Sequence, residues 1–71
     1  MLLGPHDIAR RLEYQHSPGW LVWYGRHTRQ YWALARWART QDGMLAAATP
    51  EALEAAIAAF EMFHPRPGHQ R

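Results

Sequence analysis

The 71-residue chain contains no cysteine, which excludes a disulfide framework, thiolate chemistry and any zinc site with cysteine ligands. It also lacks a run of about 20 apolar residues, the length that a helix needs to cross a membrane. Its first residues lack the basic segment and the long apolar segment of a secretory signal peptide. We therefore expect a soluble cytoplasmic protein with no membrane partner and, at this length, a single domain.

Lysine is absent too, so all eight basic residues are arginines, and the formal net charge is +2. The charges are unevenly distributed along the chain. Residues 20–40 carry four arginines and no acid, whereas residues 51–61 carry three glutamates and no base. This polarity is typical of a chain that binds an anionic partner or associates with itself, although a solvated surface produces the same pattern.

Residues that carry chemistry are scarce. Ser17 is the only serine and precedes a proline, and no nucleophile-elbow motif is present, which argues against a hydrolytic triad. Gly25 and Gly43 are isolated, so no phosphate-binding loop is expected. The five histidines have no helical i, i+4 pair; they are His6, His16, His27, His64 and His69. We predict no metal site, no cofactor and no enzymatic activity.

Two segments have the pattern of helices that begin with proline. Pro5 follows Gly4 as the expected N-cap, and this helix should end near His16, since Ser17 precedes Pro18. The second helix is predicted to begin at Pro50, with Thr49 as its N-cap. Its apolar stripe consists of Leu53, Ile57 and Phe60, with Phe63 near its end.

The segment between the helices is rich in aromatic residues. Residues 20–24 follow Pro-Gly and combine aromatic with branched side chains, which predicts a strand. Residues 30–37 are ambiguous, because their aromatics favour a strand whereas their alanines, leucine and arginine suit a helix. We favour a strand, because the preceding strand needs a partner. The turn signal Gln41-Asp42-Gly43 then predicts a third strand over residues 44–48.

The order α-β-β-β-α predicts an α+β fold. In this fold a three-stranded antiparallel meander has two helices packed on one face. We expect one domain over residues 1–63 and a flexible basic tail over residues 64–71.

A first hairpin that turns at His27-Thr28 places Trp23 opposite Trp32 and Tyr24 opposite Tyr31. Side-chain alternation then separates the hairpin into two faces. One face has no charge and two small alanines, and we assign it to the core: Trp20, Val22, Tyr24, Tyr31, Ala33, Ala35 and Trp37. The other face holds Leu21, Trp23, Trp32, Leu34 and Arg36.

Two short helices can cover only one of these apolar faces, so the second face should be exposed on the monomer. Monomers seldom expose a large apolar patch without a use, and tryptophan and arginine are enriched in binding hot spots. The sequence therefore favours a non-enzymatic protein-interaction module. Its surface of Leu21, Trp23, Trp32, Leu34 and Arg36 would bind a second copy, giving a homodimer, or a regulatory protein partner. In the alternative, the hairpin curls or the tail folds back, and the patch is additional core.

Nucleic acid is the alternative partner, because arginines and aromatic residues alternate along the hairpin, as in proteins that stack single-stranded bases. The residues of that site would be Arg26, His27, Arg29, Arg36 and Arg39. His27, at the hairpin tip between two arginines, is the one titratable group in a position suited to acid–base cleavage of RNA.

The order of elements resembles that of double-stranded-RNA-binding domains. That resemblance concerns topology alone, because the last helix begins with the acidic segment Thr49-Pro50-Glu51-Ala52, whereas those domains are lysine-rich there. The chain is also similar in outline to HicA-type toxins, which cleave mRNA with a histidine that follows Gly-Trp and a strand. This similarity, over Gly19-Trp20 to His27, implies an RNA-cleaving toxin with His27 as its catalytic residue.

A resemblance that spans most of the domain is to small uncharacterised proteins of actinobacteria such as Streptomyces. Their pattern resembles Pro-Gly-Trp-x-Val-Trp-Tyr-Gly at residues 18–25, Tyr-Trp-Ala at residues 31–33 and Ala-Thr-Pro-Glu-x-Leu at residues 48–53. The resemblance implies a class of host organism and no particular activity.

Overall fold

The computed structural model describes residues 3–38 and 43–65. The chain forms two helices and three strands in the order α1, β1, β2, β3, α2. Their bounds are α1 Pro5–Gln15, β1 Trp20–Gly25, β2 Gln30–Ala35, β3 Met44–Ala47 and α2 Pro50–Phe63. The strands form one antiparallel sheet in the order β1-β2-β3, and both helices pack against it. The predicted α+β fold is confirmed.

Both helices begin where their prolines predict. Gly4 precedes α1 in an extended conformation, and its backbone N–H donates to Asp7 Oδ2 at 3.3 Å. Thr49 caps α2, because its Oγ1 accepts a hydrogen bond from the backbone N–H of Ala52 at 3.1 Å. These side chains satisfy N–H groups that the first turn of a helix leaves unpaired. Helix α1 ends with His16 as its C-cap, as predicted.

The first hairpin has the register that alternation predicts. Trp23 lies opposite Trp32 and Tyr24 opposite Tyr31 across a four-residue turn at residues 26–29. Residues 30–35 form a strand rather than a helix. The prediction that β2 continues to residue 37 is wrong, because the N–H of Ala38 donates to the carbonyl of Ala35 at 3.2 Å and turns the chain.

The third strand also ends one residue earlier than predicted. Ala48 precedes the N-cap of α2 and leaves the sheet. Two residues of the predicted turn, Gln41 and Asp42, lie outside the described residues, as do residues 66–71 of the predicted tail.

The core lies between one face of the sheet and the two helices. Helix α1 packs on β1, and α2 packs on β2 and β3. Leu53, Ile57 and Phe60 of α2 are buried, as predicted, whereas Phe63 is exposed. The buried residues are Ala9, Leu12, Trp20, Val22, Tyr31, Ala33, Ala35, Leu53, Ile57 and Phe60. Tyr24 and Trp37 are partly buried against them, so the predicted assignment of the core face is confirmed.

Two carboxylates of the helices fix β1 in place. The indole Nε1 of the fully buried Trp20 donates to Glu61 Oε2 at 2.8 Å, which ties β1 to the end of α2. The backbone N–H of Val22 donates to Glu13 Oε1 of α1 at 3.0 Å. Both are charge-assisted hydrogen bonds, which are stronger than neutral ones.

Across residues 3–38 and 43–65, no helix has the length and hydropathy needed to cross a membrane.

Candidate interaction surface

The sheet face that points away from both helices is apolar, and we call it the open face. Alternation places the side chains of two adjacent cross-strand rows on it. The first row joins Leu21 of β1 to Leu34 of β2 and Met44 of β3. The second joins Trp23, Trp32 and Ala46 in the same way. Four of the predicted partner-binding residues, Leu21, Trp23, Trp32 and Leu34, therefore lie together.

These side chains differ in how much surface they offer. Met44 is 47% exposed and Trp23 is 39% exposed, whereas Leu21, Trp32 and Leu34 are partly buried. Leu21 and Leu34 lie directly opposite each other on adjacent strands, and Trp32 lies two residues from Leu34 on the same face. Trp23 and Met44 are therefore the side chains that a partner would bury most.

Trp32 is held in place by the turn of the first hairpin. Its Nε1 donates to Thr28 Oγ1 at 3.0 Å, and that hydroxyl donates to the carbonyl of Gly25 at 3.4 Å. The indole also lies over Gly25, where a Cβ would come within 2.8 Å of Trp32 Nε1. Glycine at this position lets the ring cover the strand closely.

The Trp32 ring in turn positions Trp23. The two indole rings are nearly parallel, with an interplanar angle of 9° and a distance of 6.4 Å between their centroids. Within the described residues, the indole N–H of Trp23 has no hydrogen-bond partner. Trp23 thus offers an ordered apolar ring and a free hydrogen-bond donor, a combination that suits a protein interface.

The charges of the described residues are divided between the sheet and the helices. In residues 20–38 and 43–47, the strands and turns carry three exposed arginines, Arg26, Arg29 and Arg36, and no acid. All described carboxylates lie on the helices: Asp7, Glu13, Glu51, Glu54 and Glu61. The open face is therefore bordered by positive charge.

The structure separates the arginines that the sequence grouped into a nucleic-acid site. Arg26, His27 and Arg29 lie in the exposed turn of the first hairpin, whereas Arg36 follows the other end of β2. Six strand residues at about 3.4 Å each place some 20 Å between these ends. Arg39 lies outside the described residues.

His27 is exposed at the hairpin turn, between Arg26 and Arg29 in sequence. Among residues 3–38 and 43–65, no carboxylate hydrogen-bonds to its ring, so this part of the chain supplies no group that orients the imidazole as a catalytic base. The same residues hold no group of three or more His, Asp or Glu side chains with the geometry of a metal site.

Met44 and Ala46 belong to the open face but were missing from the residues that the sequence singled out. The third strand was predicted, but its two sides were not assigned, because the turn before it left its register to β2 open. The alternation of β3 carries the signal, since Leu45 and Ala47 pack against the core. Their neighbours must then point to the opposite face.

Comparisons with protein-family models, with curated proteins and with solved structures found no match to this chain.

Proposed function

We propose that the protein is a non-enzymatic protein-interaction module. Its open face binds an apolar surface, bordered by acidic residues, on a partner protein. The observation that carries the proposal is the position of both helices on one side of the sheet. This leaves Trp23 and Met44 exposed beside Leu21, Trp32 and Leu34 on the other side.

The energetics of the open face suit a binding site. Burial of apolar area stabilises a complex by about 25 cal/mol per Å² before the costs of association are subtracted. A rigid tryptophan loses little conformational entropy on binding, and the Trp32 ring already orders Trp23. Tryptophan side chains in such central positions are frequent hot spots.

The charges favour an acidic partner. Arg36 lies at one end of the open face, and Arg26 and Arg29 lie at the other. No acid lies on the part of the sheet and its turns that the structure describes. Acidic residues around an apolar centre on the partner would complement both ends. This complementarity raises the association rate and selects the orientation of the partner.

A synthetic amphipathic helix provides a defined probe. One peptide carries leucines along one side and glutamates beside them, and its matched control has lysines in place of the glutamates. Fluorescence anisotropy of the labelled peptides measures binding to the full chain. We expect the acidic peptide to bind, and the basic peptide to bind at least tenfold more weakly.

Two alanine variants test whether the acidic peptide binds to the open face. Trp23→Ala should weaken binding of the acidic peptide by about 2 kcal/mol or more, as expected for a hot-spot tryptophan. Tyr14→Ala is the matched control, because Tyr14 is an exposed aromatic residue of α1 and its removal should change nothing. Equal loss in both variants, or no binding of either peptide, contradicts the proposal.

Binding of single-stranded nucleic acid is the second candidate. It is supported by the parallel Trp23 and Trp32 rings on a face that, among the described residues, is bordered by arginines. A labelled oligothymidylate tests it in the same assay. Trp23-dependent binding that falls steeply with salt, without binding of the acidic peptide, would replace the first proposal with this one.

A further inference from the structure

The two edges of the sheet are protected very differently. At the β1 edge, α1 packs against the strand, and Glu13 accepts a hydrogen bond from the outward N–H of Val22. At the β3 edge, no described residue hydrogen-bonds to the outer side of the strand. Strand β3, Met-Leu-Ala-Ala, also has no charge and no proline, the features with which proteins commonly block an exposed edge.

The register defines which backbone groups of β3 point outward. The N–H of Arg36 donates to the carbonyl of Gly19, so even-numbered residues of β2 bond to β1. Hydrogen-bonding direction alternates along an antiparallel strand, so odd-numbered residues of β2, such as Ala33, bond to β3. Ala33 lies opposite Leu45. Met44 and Ala46 therefore present their N–H and C=O groups to the open edge.

Helix α2 carries two stripes of mostly exposed residues on opposite sides of its buried stripe, as 3.6 residues per turn dictate. The acidic stripe consists of Glu51, Glu54, Ala58 and Glu61. The apolar stripe consists of Ala52, Ala55, Ala59 and Met62, which are all exposed.

Contacts of the acidic stripe show which way each stripe points. Glu51 and Glu54 line a groove together with Ile8 and Arg11 of α1, and Glu61 bonds to Trp20 of β1. The acidic stripe thus faces α1 and the β1 side of the molecule. Ala52 and Ala59 of the apolar stripe lie on the opposite flank of the buried residues, toward the side on which the open edge of β3 lies. Met62, at the end of this stripe and 77% exposed, points away from the sheet.

We propose that the open edge of β3 and the apolar stripe of α2 form a homodimer interface. Strand β3 pairs antiparallel with β3 of a second copy. Met44 then lies opposite Ala46 of the partner subunit, and Ala46 lies opposite Met44 of the partner subunit. Each of these two pairs exchanges two hydrogen bonds, which satisfies every outward backbone group of Met44 and Ala46. The apolar stripes of the two α2 helices then pack against each other beside the twofold axis.

A second copy fits this surface for reasons of symmetry and charge. Antiparallel pairing of a strand with itself is isologous and closes at two subunits, so no edge remains at the interface to add further copies. The β3 strand and the apolar stripe contain no charged residue, so two copies meet without like-charge repulsion. This interface uses the backbone groups of β3 and the surface of α2, whereas the proposed function uses the side chains of the open face, and it therefore goes beyond the proposed function.

The dimer has a consequence for the open face. Pairing through β3 continues one sheet across both subunits, so the two open faces lie side by side on the same side of it. The binding surface doubles, and a partner with two apolar segments would gain affinity from simultaneous binding.

The mass of the full chain in solution tests the proposal. Light scattering on a size-exclusion column, across a dilution series, should give twice the monomer mass of 8.3 kDa. Ala59→Glu introduces like charges where the two α2 helices meet, and the dimer should be lost. The matched control is Ala58→Glu, on the adjacent exposed alanine of the acidic stripe, and it should remain dimeric.

A backbone variant tests strand pairing itself. Ala46→Pro removes an N–H that points outward, so the hydrogen bonds between β3 and β2 are kept while pairing with the second copy is lost. Circular dichroism tests whether each variant is folded. If Ala46→Pro does not fold, the comparison of Ala59→Glu with Ala58→Glu decides whether the dimer forms through this interface.

Three results overturn the proposal. The first is a monomer at every concentration of the unaltered chain. The second is a dimer that survives Ala59→Glu in a folded protein. The third is a dimer that Trp23→Ala abolishes and Ala59→Glu leaves intact, which would assign self-association to the open face. The two proposals are tested separately, because Ala59→Glu should lose the dimer and still bind the acidic peptide through its unchanged open face.

Discussion

The two faces of the sheet are built from similar residues, but one is buried under the helices and the other is not. Both carry large apolar side chains, including tryptophans, on alternate positions of the same strands. The core face is free of charge and has small alanines at positions 33 and 35, so two helices can approach it closely. The open face ends in Arg36, and neither α1 nor α2 lies on it. Hydrophobicity alone therefore does not select the buried face of this sheet; small residues and the absence of charge do.

The largest expected difference in the free energy of unfolding is between a leucine of the core and a leucine of the open face. Leu53 of α2 is fully buried in the core, whereas Leu34 is partly buried on the open face. We expect Leu53→Ala to lower the free energy of unfolding by about 2–5 kcal/mol, because it leaves a cavity. Leu34→Ala should cost about 1 kcal/mol, since its site remains in contact with solvent. Urea unfolding followed by circular dichroism measures both, and equal losses would contradict the assignment of the two faces.

A smaller effect should separate the two tryptophans of the open face. Trp32 hydrogen-bonds to Thr28 and covers Gly25, so Trp32→Ala should destabilise the fold by about 2 kcal/mol, roughly half the cost at a fully buried site. Trp23→Ala removes only the parallel ring contact and should cost about 1 kcal/mol. The same unfolding experiment orders the two variants. A larger cost for Trp23→Ala would mean that Trp23 has a structural role and is not reserved for a partner.

The smallest effect concerns alkaline pH and the core face. Burial raises the pKa of Tyr31 above its usual value of 10.0, with smaller contributions from Tyr24 and Glu51. The folded state therefore favours the neutral phenol, and above about pH 10 the unfolded chain releases this proton first. Stability contributed by the neutral phenol is complete below that pH and declines as the pH rises through the raised pKa.

The variant Tyr31→Phe should make the free energy of unfolding less dependent on pH above about 10. The control Tyr14→Phe changes an exposed phenol and should keep the decline of the unaltered chain. Unfolding curves at several alkaline pH values measure the difference. An unchanged decline in Tyr31→Phe would mean that another group causes it.

The sequence predicted the features that depend on neighbouring residues. Proline at the first helical position and Thr49 as an N-cap locate both helix starts within the chain itself. The hairpin register follows from its turn, and side-chain alternation then separates Trp23 and Trp32 from Trp20 and Tyr31. These features depend on short segments, and their physics is visible without the rest of the fold.

The features that the sequence did not reveal join distant segments. The bond between Trp20 and Glu61 and the burial of Ala9 depend on how the helices dock, which no local pattern specifies. The contact of Trp32 with Gly25 requires the sheet twist to bring a diagonal neighbour under the ring. For the same reason Met44 and Ala46 were missed, since their place on the open face follows from the pairing of β3 with β2.

The most direct test of the central claim is a nuclear magnetic resonance titration of the ¹⁵N-labelled chain with the acidic amphipathic peptide. We expect shifts in the resonances of the Trp23 indole N–H and of the backbone amides next to the open-face side chains of β1, β2 and β3. The resonances of the backbone amides of α1 should not shift. Shifts concentrated on the helices, or no shifts at all, would contradict the claim that the open face is the binding surface.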